Sequence, residues 1–96
     1  MPTTPNLDEV AHILKRHLPA GYSAVLFGSR ATGQAWHTSD WDVGLLGPLS
    51  LRGAIVERIR EDLDEIRTLH TFDVVDLTNV PDYFREIALR KVVKLV

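Results

Sequence analysis

The sequence predicts a small α/β domain: a mixed β-sheet with helices packed against it, in the order α-β-α-β-α-β-α, with a closing strand weighed at the tail. Three observations carry this. Residues 22–27, 41–46 and 72–77 are short, mainly apolar runs bounded by glycine, proline and polar turns, as strands are. Residues 7–18 and 51–66 repeat apolar side chains at helical spacing. The 96 residues match a single domain, so 1–96 reads as one unit behind a flexible lead-in at 1–5.

Each element has its own signal. Asn6 followed by Glu9 resembles a capping box. Leu7, Val10, Ala11, Leu14 and Leu18 then share one helix face, which Pro19-Ala20-Gly21 ends. Tyr22 to Phe27 is a buried strand closed by Gly28-Ser29, and a short helical turn is expected over Arg30 to Ala35. Trp41 to Leu46 is the second strand, closed by Gly47-Pro48, and Ser50 is placed to cap the next helix. That helix turns Leu51, Ile55, Ile59, Leu63 and Ile66 one way and offers Arg58/Asp62 and Arg60/Asp64 as i,i+4 pairs on the other side. Phe72 to Leu77 is the third strand. Asn79-Val80-Pro81-Asp82 opens a last helix with Phe84, Ile87 and Ala88 apolar. The tail Val92 to Val96 either continues that helix or forms a short fourth strand, and its β-branched content favours strand.

Composition narrows the function. Apolar residues are 45% and charged residues 25%, an ordinary globular balance. A formal net charge of −2 argues against nucleic-acid binding as the main activity, which needs a basic surface. The absence of cysteine excludes disulfides and thiolate metal sites. No apolar run approaches the ~20 residues that span a bilayer, and Met-Pro-Thr-Thr-Pro-Asn carries no signal-peptide pattern. A cytoplasmic protein without membrane attachment is the expectation.

The chemistry lies between residues 28 and 43 and at residue 73. Asp40 and Asp42 are two apart at a strand start, so both carboxylates project from one face. Adjacent like charges raise one pKa or call for a cation. Mg²⁺ suits them, because it takes carboxylate oxygens and keeps positions for water and phosphate. Asp73 sits early in the third strand. If strands two and three are parallel neighbours joined by the long helix, it lies at the same sheet end. Three carboxylates there can hold two metal ions about 3.5–4 Å apart, as in-line phosphoryl displacement uses them. Gly28 lets a phosphate approach the backbone, and the helical turn after it favours an anion. The Ser29 hydroxyl can donate to a phosphate oxygen, and Arg30 can neutralise its charge.

The run Gly28-Ser29-Arg30-Ala31-Thr32-Gly33 with Ser39-Asp40-Trp41-Asp42-Val43, and a later strand carboxylate, resembles the DNA polymerase β-like nucleotidyltransferases. It looks most like their smallest branch, the minimal nucleotidyltransferases (MNT), over nearly the whole chain. The resemblance implies a polymerase β palm-like fold, with Gly28 and Ser29 on the nucleotide phosphates. It implies Asp40 and Asp42 on both Mg²⁺ ions, and Asp73 on the catalytic metal while helping to activate the attacking hydroxyl. It further implies an antitoxin paired with a HEPN-domain toxin, moving AMP from ATP to a tyrosine of that partner. Thr32 stands where a basic residue is usual, and Trp36 and His37 are bulky residues ahead of the aspartates.

Competing readings are concrete. Arg30 can serve a surface ion pair instead. Asp76 competes with Asp73, but alternation sends the two to opposite faces, and Asp76 suits a turn cap. His12, His17, His37 and His70 lack metal-ligand spacing. The charged face of the 51–67 helix reads as solvated. Against the enzyme stands a non-catalytic module that neutralises its partner by occlusion. A catalytic domain this small is expected to work as a homodimer or hetero-oligomer.

Overall fold

The computed structural model describes residues 6–28, 41–68 and 71–96. Helix α1 (Leu7–His17) leads into strand β1 (Ser23–Phe27). Strand β2 (Trp41–Leu46), helix α2 (Gly53–Asp64) and strand β3 (Phe72–Asp76) follow. A 3₁₀ turn (Leu77–Asn79), helix α3 (Asp82–Ala88) and the two-residue strand β4 (Val93–Lys94) complete the order. The sheet runs β3-β2-β1-β4. β1 is antiparallel to β2 and to β4, whereas β2 and β3 are parallel. The expected mixed α/β sheet is present, and the helical turn expected over 30–35 lies outside the described residues. No helix among the described residues is long and apolar enough to cross a membrane.

Strand alternation divides the core in two. Ala24, Val43, Leu45 and Val74 point to the face covered by α1 and α2, where Val10, Leu14, Ile59 and Leu63 are fully buried. Val25 and Phe27 point to the other face, under Leu77 and Ala88. The second core is the smaller, because α3 is only two turns long.

Several local expectations are corrected. Asn6 does cap α1, but its Oδ1 accepts from the N–H of Asp8 at 2.9 Å with no return bond from Glu9. Ile13, absent from the expected face, is buried, while Leu18 is the C-cap and only half-buried. Arg52, not Ser50, is the N-cap of α2 and offers no side-chain bond. Val56 joins Ile59 and Leu63 on the buried face, while Leu51 and Ile55 pack at its margin. β3 stops at Asp76 because Asp76 turns the chain: its Oδ1 accepts from Thr78 N–H and its Oδ2 from Leu51 N–H, both at 3.0 Å. The tail settles as strand, and Leu95 N–H donating to the Ala24 carbonyl at 2.9 Å extends the edge beyond Lys94.

The expected i,i+4 pairs along α2 give way to other contacts. Arg60 pairs with Glu57 and also donates to the Val74 carbonyl at 2.9 Å. Asp62 reaches α1, where it accepts from Arg16 at 2.8 Å and contacts His17 at 2.5 Å. The His17 and Arg16 contacts hold the Asp62 carboxyl below its ordinary aspartate range. A depressed folded-state pKa stabilises above the unfolded value and is lost as pH falls through the folded one. The gap in urea midpoint between the wild type and Asp62→Asn is therefore expected to be constant near neutrality and to close below about pH 4. Denaturant titrations at stepped pH check this, and a gap that persists into acid contradicts it.

α3 is fastened to the 3₁₀ turn by Arg85. Its guanidinium donates to the carbonyls of Leu77 at 2.7 Å, Val80 at 3.1 Å and Thr78 at 3.3 Å. One planar fork thereby satisfies three turn acceptors, which a lysine could not match in geometry.

Candidate functional site

The site is built at the end of the sheet where β1 finishes and β2 and β3 begin. β1 is buried from Ala24 to Phe27 and ends at Gly28 with φ +74°. In the parallel pair, Asp42 stands opposite Asp73. In the antiparallel pair, Asp42 stands opposite Phe27. Neighbouring strands lie about 4.7–4.9 Å apart, so the two carboxylates leave adjacent backbones on the same face. That face is the one α3 partly covers, since Val43 and Val74 beside them belong to the opposite core.

Gly28 closes on this pair. A Cβ built at residue 28 would collide with Oδ2 of Asp42. Two independent requirements thus select glycine here: the left-handed backbone and the carboxylate pressed against it. Asp42 is half-buried and Asp73 exposed. The structure therefore assembles Gly28, Asp42 and Asp73 from three strand ends. Asp40, Ser29 and Arg30, and with them Thr32, Trp36 and His37, lie outside the described residues.

The donor set fits a hard divalent cation, because opposed carboxylates supply oxygens and relieve their mutual repulsion by sharing it. Among the described residues no three His, Cys, Asp or Glu side chains form a complete metal cluster. The rival Asp76 is engaged in the turn and faces away from the pair. His17 is engaged by Asp62 on the other side of the sheet.

Sequence reasoning missed what lies beside Gly28. A groove of about 450 Å³ runs between α3 and the end of β1, walled by Phe27, Gly28, Tyr83, Phe84 and Ile87 and edged by Lys91. The sequence marks Phe84 and Ile87 as apolar positions of this helix. Phe84 is 40% exposed and Ile87 59%. Apolar spacing identifies a face but not whether anything covers it.

The comparisons with known proteins bear on the family and the fold. The family model described as "Polymerase beta, Nucleotidyltransferase" matches residues 8–96. No curated protein matches the chain. Among solved structures, a toxin–antitoxin complex with AMP-PNP is similar at 21% identity and TM-score 0.72, over 95% of this chain and 73% of that one. A MntA–HepT toxin–antitoxin complex is similar at 18% identity and TM-score 0.63, over 94% and 68%. A tri-AMPylated Shewanella oneidensis HEPN toxin in complex with MNT antitoxin is similar at 18% identity and TM-score 0.64, again over 94% and 68%. At these identities the likeness to solved structures establishes a shared fold.

Proposed function

Since this chain belongs to the polymerase beta nucleotidyltransferase family, we propose that it is an MNT-type antitoxin that transfers AMP from ATP to a hydroxyl, a tyrosine side chain, of a HEPN-type toxin partner. The observation that carries the reading is the opposition of Asp42 and Asp73 across β2 and β3 with Gly28 closed against Asp42. The fold shared with the AMP-PNP complex and with the AMPylated toxin complex supports the choice of nucleotide and acceptor.

Asp40, Asp42 and Asp73 would hold Mg²⁺, two ions in all. Once bound, the metal offsets charge on the transferring and leaving oxygens. The chain's own residues then do the following. The backbone at Gly28 admits the phosphates, Ser29 donates to a phosphate oxygen, and Arg30 offsets their charge. Asp73, the exposed carboxylate of the pair, accepts a hydrogen bond from the acceptor hydroxyl and takes its proton as the oxygen attacks. A bond forms from that oxygen to the α-phosphorus, the bond from the α-phosphorus to the bridging oxygen breaks, and pyrophosphate leaves with the electron pair. The strand ends of a buried sheet hold Gly28, Asp42 and Asp73 in fixed relation, which is the positioning such a transfer needs.

The test is mass spectrometry of the protein encoded beside this chain after incubation with it, ATP and Mg²⁺. The expected result is a mass increase of one or more AMP units on the partner. An unmodified partner in a stable complex would overturn the catalytic reading in favour of neutralisation by occlusion.

A further inference from the structure

We infer that the groove between α3 and the end of β1 seats the nucleobase and ribose of the nucleoside triphosphate, gripping the base by stacking on the aromatic residues of α3. This rests on the nucleotidyl-transfer reading and adds to it the place of the base. Gly28 belongs both to the groove and to the carboxylate site. A molecule lying in the groove therefore borders the Asp42 end of the sheet. Its volume of about 450 Å³ falls within the range of about 300–1,000 Å³ in which small-molecule sites lie.

The chemistry of the walls selects the occupant. Phe84 meets Phe27 edge to face, with ring centroids 6.5 Å apart and planes at 82°. That contact fixes the ring while leaving it partly exposed. Tyr83 beside it is 69% exposed. Flat apolar surface of this kind suits a heteroaromatic ring, since every base presents a π-face. Arg90 and Lys91 edge the same groove and have no ion-pair partner among the described residues. Their charge complements a triphosphate, whereas Arg85 on the same helix is committed to the turn carbonyls. An apolar peptide would use the walls but leave the two cations unanswered. Among the described residues the groove is lined by no carboxylate or carboxamide, so these residues hold the base by its faces and grip adenine and guanine nucleotides alike.

Titration calorimetry with Mg²⁺ separates the parts. ATP, GTP and inorganic tripolyphosphate are each titrated into the full chain, into Tyr83→Ala and into Phe84→Leu. The leucine keeps apolar bulk and removes the ring, and the tyrosine is exposed, so melting curves should show both variants folded. The wild type is expected to bind ATP and GTP at least tenfold more tightly than tripolyphosphate. Each variant should lose about 5- to 100-fold in affinity for both nucleotides while tripolyphosphate binding stays unchanged. Variants that keep the full advantage of ATP over tripolyphosphate overturn the base seat and leave nucleotidyl transfer standing. A wild type that binds neither nucleotide nor tripolyphosphate overturns both.

Discussion

Asp42→Asn is expected to reduce nucleotidyl transfer by about a thousandfold or more, with the fold intact. The carboxylate sits opposite Asp73 and against Gly28, so it is the member of the pair most enclosed by the site. Asparagine keeps the shape and removes the charge that would hold a cation. Charge stabilisation of a transferring phosphoryl group is worth several kcal/mol, and each 1.36 kcal/mol is a factor of ten in rate. Relief of repulsion from Asp73 would offset part of the lost contacts, so the thermal midpoint should hold or rise. Modification of the partner followed by mass, beside a melting curve, reads both quantities. A variant whose nucleotidyl transfer stays within tenfold of the wild type would contradict the assignment of Asp42.

Gly28→Ala is expected to be the most damaging small substitution at the site. The backbone there has φ +74°, which costs an L-residue about 1–2 kcal/mol. The added Cβ would also collide with Asp42 Oδ2, so either the carboxylate or the end of β1 must move. Stability should fall by roughly 1–3 kcal/mol, and transfer should collapse because a displacement of about 1 Å is enough to cost about a hundredfold. The second contribution can be isolated. Combining Gly28→Ala with Asp42→Ala removes the collision but not the backbone cost, so the double variant should be more stable than the sum of the two losses implies. Such coupling is what contacting residues show. Strict additivity in urea unfolding would mean that the two residues do not press on each other.

The sequence was most informative where local chemistry and backbone period coincide. β2 runs from Trp41 to Leu46 as expected, and the parallel partner supplied by the 53–64 helix puts Asp73 opposite Asp42. Asp76 was legible as a turn residue because its type and its position at a strand end both say so. What could not be read was tertiary. Asp62 offers an i−4 arginine within its helix, yet two groups on α1 hold it instead. Ser50 is a good capping residue, but the helix starts two residues later, with Arg52 as its cap, and Asp76, far away in sequence, takes the Leu51 N–H ahead of it. Ile13 was omitted from the α1 face because a heptad-like reading is narrower than the stripe that two neighbouring elements bury. Phe84 and Ile87 were legible as apolar, but not as the exposed wall of a groove.

The parallel pairing of β2 with β3 has a consequence for how the molecule avoids misfolding. Side chains alternate along a strand, so a one-residue slip of β3 would bring Val74 into line with Asp42 and turn Asp73 inward. Asp73 would then stand opposite Trp41, on the face that α1 and α2 cover, where burial of a carboxylate is heavily disfavoured. The acidic side chain thus acts as an alignment peg that rejects the misthreaded sheet. Exchanging it for valine would remove that penalty and leave Asp76 as the one charged residue of β3. A chain carrying Asp73→Val should therefore lose uniqueness as well as activity, appearing as doubled amide resonances for β3 where the wild type shows a single set.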